Sequence, residues 1–580
     1  MRIGRLLRAL AAAAAMFALL MAGCMQGDLT ERQARPTEPS GLRLNPGREG
    51  SGPHFTPPPL KAQGHHPDNW FDSACSLPGD QFIRIKRGHQ GDVSPDLYFV
   101  PRAPNFFGGF QTTSHSGPWP YLQRVPLVFY GPGFFRRQGA VSRPGTTLAD
   151  VAPTLAQMTQ TRLSQQTVGR PISEALTGAA SLPKLIVVLV WDGGGWDVLR
   201  TWPQSWPNLK RIMVRGTSIS DATVGSSPSV TPAVHATLGT GAFPKQHGIV
   251  DMHVRDGEDV VDSFEDGSPE FLRIPTYADL YDRDNNNRPK VGMFAYHDFH
   301  AGMMGHGAQF PGGDKDVQII APSSPSINFV AEESYYKLPQ YLDEIGGFAN
   351  LKRSVDGRDG KIDGSWRGVD LDDRHDVRHS PVWVRFQTKV IEEVIEREDF
   401  GADPVPDLLF VNYKQIDDAG HDWNMLSLEM KDVVKQTDDD LGELIRFLDR
   451  QVGEQQWGLV MTADHGQAPD PLAARAWPIG ISNLVNALTQ HFGVEEEDII
   501  DETRPTGLWL DRLGLATEGI EEGEIADFIL NYRIEDDLSE GKPLPSQYET
   551  RRREPVFSAA FPSSAMRRIS TCIRRRAATS

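Results

Sequence analysis

The stretch Leu185-Ile-Val-Val-Leu-Val-Trp-Asp-Gly-Gly-Gly195 decides the fold class, because an apolar run stops abruptly at a carboxylate followed by glycines. A short, partly β-branched run of this kind is typical of a strand that is buried on both faces of a parallel sheet. Similar runs occur at 125–130, 291–296, 407–411 and 457–462. Helical patterns alternate with them at 207–215, 382–397, 426–451 and 525–532. The alternation predicts an α/β fold: a doubly wound, mainly parallel sheet with helices on both faces.

Composition limits the partners of this fold. The chain has 580 residues, of which 39% are hydrophobic and 23% charged, and its formal net charge is -18. No broad basic surface is available, so we expect no nucleic-acid binding. A small anionic substrate remains compatible with this charge, because bound metal ions can invert the local charge of an acidic site.

The first 24 residues have the features of an export signal. Arg2, Arg5 and Arg8 precede an alanine-rich apolar run at 9–21. The sequence Leu20-Met-Ala-Gly-Cys24 resembles a bacterial lipobox. It predicts a lipid anchor on Cys24 that holds the protein to the bacterial cell membrane, facing outside the cytoplasm. The alternative is simple signal cleavage, or a single anchor that happens to contain a cysteine.

The remainder of the chain is divided by composition. Residues 25–74 are rich in proline, glycine and polar side chains without sustained periodicity, which predicts a flexible tether. Residues 75–575 are expected to form the folded domain, and the charged, glycine-rich stretch at 346–378 reads as a surface loop inserted in it. Besides Cys24, the chain has only Cys75 and Cys572. One disulfide is compatible with export, but spacing alone leaves two free thiols as the alternative.

Polar motifs follow the predicted strands at their carboxyl ends, where ligand groups of such sheets gather. Asp192 directly follows the first run, Asp417-Asp-Ala-Gly-His421 follows another, and Asp464-His-Gly466 a third. Each motif alone is weak, and Gly420 favours a loop around the second one. Together, carboxylates with His421 and His465 suit zinc and its neighbours better than calcium or magnesium.

Thr231-Pro232 is typical of a helix start, with threonine as the N-cap and proline as the first helical residue. Capping is the simplest role for Thr231. It is also compatible with catalysis, because the positive end of a helix stabilises an alkoxide and an approaching phosphoryl group.

The joint order of Asp192, Thr231, Asp417-x-x-x-His421 and Asp464-His465-Gly466 resembles the alkaline phosphatase superfamily, most closely its type I phosphodiesterase/nucleotide pyrophosphatase branch. The resemblance runs through 185–252 and 406–467. It implies an alkaline phosphatase-like fold and metal-dependent hydrolysis of a small phosphate ester, with Thr231 as nucleophile and a phosphothreonine intermediate. It implies two divalent ions, Zn²⁺ first and Mn²⁺ as the alternative. Asp192, Asp464, His465 and Thr231 would hold one ion, and Asp417 and His421 the other.

One ligand of the family pattern is missing after Asp464. The only later histidine, His491, lies in an amphipathic helical pattern and reads as a surface residue. The stretch Thr113-Ser-His-Ser-Gly-Pro118 resembles the late histidine loop of the family instead. The resemblance therefore implies a circularly permuted chain, in which the segment 75–175 carries the last ligand of the second metal, His115, and 183–535 forms the main body. It also implies that Cys75 and Cys572 lie close together and form a disulfide.

Departures from the family pattern leave other classes open. Val234 stands where the branch has an asparagine that helps to hold the phosphoryl group. A replacement could come from any of five residues: His253, Arg255, His297, His300 and His306. His235 and His247 match positions that look structural in the family. A sulfatase lacks support because 226–235 contains no arginine. A phosphomutase and a non-catalytic metal- or phosphate-binding lipoprotein stay as alternatives, and the choice between monoester and diester stays open.

Overall fold

A central sheet of eight strands organises the protein in the computed structural model, which describes residues 67–108, 113–322, 328–539 and 541–579. The first five strands are mutually parallel, the sixth is antiparallel to both neighbours, and the last two are parallel to each other. The prediction of a mainly parallel sheet is confirmed. Across the sheet, the strands lie in the order Val317–Ile320, Val291–Ala295, Asp407–Tyr413, Leu185–Trp191, Trp457–Thr462, Leu127–Tyr130, Thr217–Ile219 and Gly139–Val141.

The strand Leu185–Trp191 is buried along its whole length because helices cover both faces of the sheet. Val187, Leu189 and Trp191 belong to one apolar core, whereas the alternating residues Ile186, Val188 and Val190 belong to another. Successive side chains of a strand point to opposite faces, so both cores need apolar residues and the run cannot alternate with polar ones. The predicted arrangement of helices on both faces is confirmed. The α-helices are Trp70–Cys75, Gly79–Gly88, Pro120–Gln123, Val151–Thr159, Trp196–Thr201, Pro207–Arg215, Thr231–Thr240, Pro244–His247, Tyr277–Asp284, Phe348–Asp356, Arg374–Arg378, Pro381–Arg397, Gln415–Trp423, Leu428–Leu448, Pro471–Ala474, Ile481–Phe492, Glu496–Ile499, Arg512–Glu518, Glu522–Asn531 and Met566–Thr579.

A second, antiparallel sheet brings the two ends of the described body together. Its four strands lie in the order Ile500–Arg504, Gly507–Leu510, Leu97–Pro101 and Phe557–Pro562. This sheet was not predicted from the sequence. Smaller two-stranded pairs join Ser365–Trp366 with Val369–Asp370, Phe106–Phe107 with Pro478–Ile479, and His253–Asp256 with Asp259–Asp262.

Cys75 and Cys572 form a disulfide beside this sheet, with their Cα atoms 5.7 Å apart. The helices Trp70–Cys75 and Met566–Thr579 carry the two cysteines. The chain is thereby closed across a sequence separation of 497 residues.

Two predictions about the organisation of the chain differ from the structure. The tether cannot extend to residue 74, because the helix Trp70–Cys75 is capped by Asn69 and the Trp70 N–H donates to Asp527. The stretch 346–378, predicted to be an inserted surface loop, contains the helices Phe348–Asp356 and Arg374–Arg378, and Phe348 packs edge-on against Phe386 with ring centroids 5.2 Å apart. Its many charges concealed the apolar face of the first helix.

The lipid anchor predicted at Cys24, the signal peptide and most of the tether lie outside the described residues. Within the described ranges, every helix is too short or too polar to cross a lipid bilayer.

Candidate active site

The candidate site forms where three neighbouring parallel strands, Asp407–Tyr413, Leu185–Trp191 and Trp457–Thr462, end at one edge of the central sheet. Asp192 directly follows the middle strand, and Asp464 follows the third after one residue. Both carboxylates are fully buried. The parallel arrangement explains why residues 272 positions apart in the chain meet at one place.

Glycine after Asp192 allows the chain to turn tightly between these strand ends. Gly193 has a φ of +69°, and a Cβ atom at this position would lie 2.8 Å from the Cα of Asp417. Its N–H donates a hydrogen bond of 3.0 Å to Asp464 Oδ1. A side chain at position 193 would therefore push the segment that carries Asp192 away from the helix that carries Asp417.

Asp417 and His421 lie one turn apart on the helix Gln415–Trp423, with His421 Nε2 3.2 Å from Asp417 Oδ2. The sequence-based preference for a loop is wrong. Gly420 is helical, and it is needed for close packing rather than for a turn. A Cβ atom on Gly420 would lie 2.6 Å from Gln467, whose side chain reaches Asp417.

His115 joins this pair from a segment that precedes the main body. Its Nε2 lies 3.6 Å from Asp417 Oδ1, and its ring stacks on that of His465 with centroids 3.5 Å apart. Nδ1 is 3.1 Å from the carbonyl oxygen of Ser229, which orients the ring. His115, Asp417 and His421 can each offer one ligand atom within 4.8 Å of the others. His491 instead is exposed and contacts aromatic rings, including Phe492 and Phe528.

A second set of ligand atoms comes from Asp192, Asp417 and His465, again within 4.8 Å of one another. Asp464 lies beside them, with its Oδ2 3.2 Å from His465 Nε2. Among the described residues, neither of these two buried atoms has a hydrogen-bond partner. Buried polar atoms left in this way need an explanation, and an ion is one that suits them. Carboxylate and imidazole donors together fit zinc and its neighbours.

Thr231 opens the helix Thr231–Thr240 and is 3% exposed. Val230 occupies the N-cap, so the predicted helix start is displaced by one residue, which is within the usual spread of helix assignments. The Oγ1 of Thr231 accepts a hydrogen bond of 3.3 Å from Lys414. Its hydroxyl therefore lies at the positive end of a helix and faces a cation.

Lys414 lies at the centre of the cluster and was not found by sequence reasoning. Its Nζ donates to Asp417 Oδ2 at 2.6 Å and to Asp192 Oδ1 at 3.0 Å. Burial acts to lower the pKa of Lys414, but the charges of Asp192 and Asp417 outweigh it and raise this pKa well above the ordinary value. Its position next to a strand end and three residues before Asp417 was the available signal.

The buried charges shift the carboxylates in opposite directions. Burial acts to raise the pKa of Asp192, but Lys414 holds it far below the usual range. Burial likewise opposes the fall at Asp417, whose pKa is lowered by His421 and Lys414. Burial and the charge of Asp192 raise the pKa of Asp464 well above its ordinary value. Three carboxyl groups thus meet one lysine, and a bound cation would allow Asp464 to ionise beside Asp192 and Asp417.

His300 is the one of the five proposed substitutes for an asparagine whose imidazole contacts the carboxylate cluster directly. It is fully buried, and its Nε2 is 3.3 Å from Asp192 Oδ2. His235 faces the same carboxylate, so Asp192, His235 and His300 also form a group of candidate ligands. His297 is next to this group in the chain. The remaining three contact carboxylates of their own: Arg255 with Asp96 at 2.8 Å, His253 with Asp262 at 3.1 Å, and His306 with Asp279 at 2.8 Å.

Val234 and His247 are buried in the protein interior and have structural roles there. Val234 is fully buried in the apolar core against the central sheet, which accounts for a residue without polar atoms at that position. His247 is fully buried, and its Nε2 is 3.1 Å from the hydroxyl of Thr237.

A sequence profile described as type I phosphodiesterase / nucleotide pyrophosphatase matches residues 186–491, more than half of the chain. The chain belongs to this family. Membership makes it a phosphoric ester hydrolase of the alkaline phosphatase superfamily, which confirms the predicted family and enzyme class. His115 lies outside the matched residues, whereas Asp192, Thr231 and Asp464 lie within them.

Two curated proteins that are similar to this chain carry the name alkaline phosphatase. PafA of Elizabethkingia meningoseptica is 22% identical over 452 residues, which cover 68% of this chain and 79% of PafA. PhoV of Synechococcus elongatus is 23% identical over 336 residues, which cover 50% of this chain and 60% of PhoV. A crystal structure of wild-type PafA is similar with a TM-score of 0.49 and 19% identity, covering 66% of this chain and 85% of that chain.

Proposed function

We propose that the chain hydrolyses small phosphate esters through a phosphothreonine intermediate on Thr231, with two divalent metal ions, outside the cytoplasm. The observation that carries the proposal is the position of Thr231. Thr231 is the first residue of a helix, and its hydroxyl contacts Lys414. The same lysine also contacts the carboxylates of Asp192 and Asp417.

The donor atoms support two metal sites. Zn²⁺ is the first choice for both, with Mn²⁺ as the alternative. When bound, the two ions supply Lewis-acid charge that activates a hydroxyl nucleophile and water and neutralises developing charge. One site would use Asp192, Asp464, His465 and Thr231, and the other Asp417, His421 and His115.

In the proposed reaction, the phosphoryl group is transferred first to Thr231 and then to water. Thr231 Oγ1 loses its proton and forms a bond to phosphorus while the bond to the leaving oxygen breaks, and that oxygen takes up a proton to leave as the alcohol. Water then loses a proton as it attacks the same phosphorus, and the bond to Thr231 breaks, so that Oγ1 regains a proton and phosphate or a phosphomonoester is released. The helix that begins at Thr231 places its positive end beside the reacting oxygen in both steps, and Lys414 donates to that oxygen.

A paired assay tests the activity. Purified protein, supplied with zinc or with manganese, is given an aryl monophosphate and an aryl phosphodiester at equal concentration. Both substrates are needed because the family is named for diesters and the two curated relatives are named alkaline phosphatases. Turnover of either that stops with a chelator supports the proposal, and mass spectrometry of acid-quenched protein should find phosphate on Thr231. Bound metal without turnover of any ester would favour the non-catalytic lipoprotein instead.

Export and lipid attachment are part of the proposal, supported by the charged start, the apolar run and Cys24 of the sequence. Labelling with a radioactive fatty acid tests them. We expect label on the wild type and none on Cys24→Ser, and we expect the wild type in the membrane fraction.

We also propose that the chain is circularly permuted relative to its family. His115 reaches the pair Asp417–His421 from a segment before the main body, as a permuted late histidine would. The strand Leu127–Tyr130 that follows His115 extends the central sheet next to Trp457–Thr462. Cys75 and Cys572 join the two ends that a permutation brings together.

A further inference from the structure

A second cluster of histidine and carboxylate side chains lies next to the candidate active site. Asp418 and Asp422 are the immediate neighbours in sequence of Asp417 and His421 on the helix Gln415–Trp423. Adjacent helical residues point about 100° apart, so Asp418 and Asp422 project from a different face of this helix. On that face they meet two histidines from the segment before the helix Pro381–Arg397.

Three side-chain atoms converge on this face. His379 Nδ1 lies 2.7 Å and His375 Nε2 3.2 Å from the same oxygen, Asp422 Oδ2. The two imidazole rings are 4.0 Å apart, and one ligand atom of each residue lies within 4.8 Å of the other two. Zinc binds nitrogen and oxygen ligands at about 2.0–2.2 Å, so a small adjustment would place these three atoms around one ion.

Asp418 supplies an independent observation that points to a cation at this cluster. The residue is only 7% exposed, and in the part of the chain that the structure describes its Oδ2 has no hydrogen-bond partner. This oxygen lies 3.5 Å from His379 Nε2. A histidine that binds a metal through one ring nitrogen usually donates the N–H of the other to a carboxylate. Asp418 is placed to accept that proton once Nδ1 of His379 is a ligand.

We propose that His375, His379 and Asp422 bind a divalent first-row transition metal, Zn²⁺ by preference, with Asp418 orienting His379. Two imidazoles and one carboxylate suit such an ion better than they suit calcium or magnesium. The side chain of His375 is 53% exposed, so the site opens to solvent. Three protein ligands and an open side leave a coordination position for water or an anion.

The bound ion would join two segments of the chain. His375 lies in the short helix Arg374–Arg378, and Asp422 lies in the helix that also carries Asp417 and His421. Such an ion would restrict the movement of that helix relative to the segment at 374–380. The site itself does not depend on whether the chain hydrolyses an ester.

Zinc binding to the stripped protein tests the proposal. The full chain is treated with a chelator, titrated with zinc and analysed for bound metal, while the melting temperature is followed. We expect His375→Gln and His379→Ala to bind one zinc per chain less than the wild type. Asp418→Asn should keep this zinc but bind it roughly 10–100-fold more weakly. His491→Ala, which alters an exposed histidine outside the cluster, is the matched control and should bind as the wild type does.

A converse variant separates this site from the catalytic one. Asp464→Asn should lose activity and catalytic-site zinc, yet keep the zinc that His375→Gln removes. Equal zinc content and affinity in the wild type, His375→Gln and His379→Ala would overturn the proposal. If His379→Ala fails to fold, as judged by circular dichroism, the half-exposed His375→Gln decides the outcome.

Discussion

The candidate site has two parts that reach the same edge of the sheet by different routes. Asp192 and Asp464 follow adjacent parallel strands, and the sheet alone brings them together. His115 belongs to no strand or helix. Hydrogen bonds hold its segment in place, including one of 2.7 Å from the hydroxyl of Thr113 to the carbonyl of Gly420 and one of 2.9 Å from the N–H of Ala468 to the carbonyl of Ser114.

Asp192 and Asp464 are thus placed by the topology of the sheet, whereas His115 is placed by local hydrogen bonds. The first kind of placement tolerates change in surrounding loops, because a strand end is fixed by the whole sheet. The second kind depends on a few contacts, one of which is the 2.7 Å approach of His421 Nδ1 to the carbonyl oxygen of Thr113. A histidine held in this way can enter from any part of the chain that reaches the same surface.

The largest expected effect is at the nucleophile. Thr231→Ala should abolish turnover while leaving the fold and most metal binding intact, because a methyl group cannot attack phosphorus. Thr240→Ala, at the last residue of the same helix, is the control and should remain active. Rates with saturating zinc, metal content and circular dichroism check this prediction. Turnover close to that of the wild type in Thr231→Ala would rule out a mechanism in which Thr231 is the nucleophile.

The next effect tests the second part of the site. His115→Ala should lower metal occupancy and activity by more than the roughly 10–100-fold that is typical of indirect metal contacts. His491→Ala should change neither, because that side chain lies on aromatic rings at the surface. The opposite ranking of the two variants would place the missing ligand in the C-terminal half and argue against a permuted chain.

A third prediction concerns the buried lysine. Lys414→Ala removes the cation that contacts Asp192 and Asp417 and leaves their charges buried. Breaking a buried ion pair of this kind costs about 3–5 kcal/mol. We expect that loss in urea unfolding of the chelator-treated protein, and a smaller loss when zinc is present. Unchanged stability without metal would mean that the carboxylates are neutralised in another way.

The smallest effect is expected at the disulfide. Cys75→Ser with Cys572→Ser should lower the free energy of unfolding by about 2–4 kcal/mol, and by at most about 5 kcal/mol, because the closed loop spans most of the chain. Activity of the folded variant should be retained, since neither cysteine belongs to the cluster. Peptide mapping under non-reducing conditions checks the pairing, and free thiols at both positions in exported protein would weaken the support for permutation.

Local sequence patterns were enough for five of the eight strands of the central sheet and for the motifs at its edge. All five predicted apolar runs contain strands, because each run must be apolar on both faces. The antiparallel sheet could not be read in this way. Leu97–Pro101 pairs with Phe557–Pro562, and no local pattern identifies a partner more than 450 residues away.

Within the site, the errors concern residues whose role depends on neighbours. Lys414 looks like an ordinary polar residue after a strand, and only the three-dimensional structure shows it among buried carboxylates. Gly420 suggested a break, whereas its lack of a side chain makes room for Gln467. In both cases one contact comes from a distant part of the chain, Asp192 for Lys414 and Gln467 for Gly420, and single-residue preferences do not contain it.

The bond between Cys75 and Cys572 also determines how the folded body would respond to mechanical force. A pull applied to residues just outside the two cysteines would load one covalent bond and the short helices beside it. The hydrogen bonds of the central sheet would carry none of that tension. Under oxidising conditions, the body should therefore resist stretching from its two ends far better than after reduction.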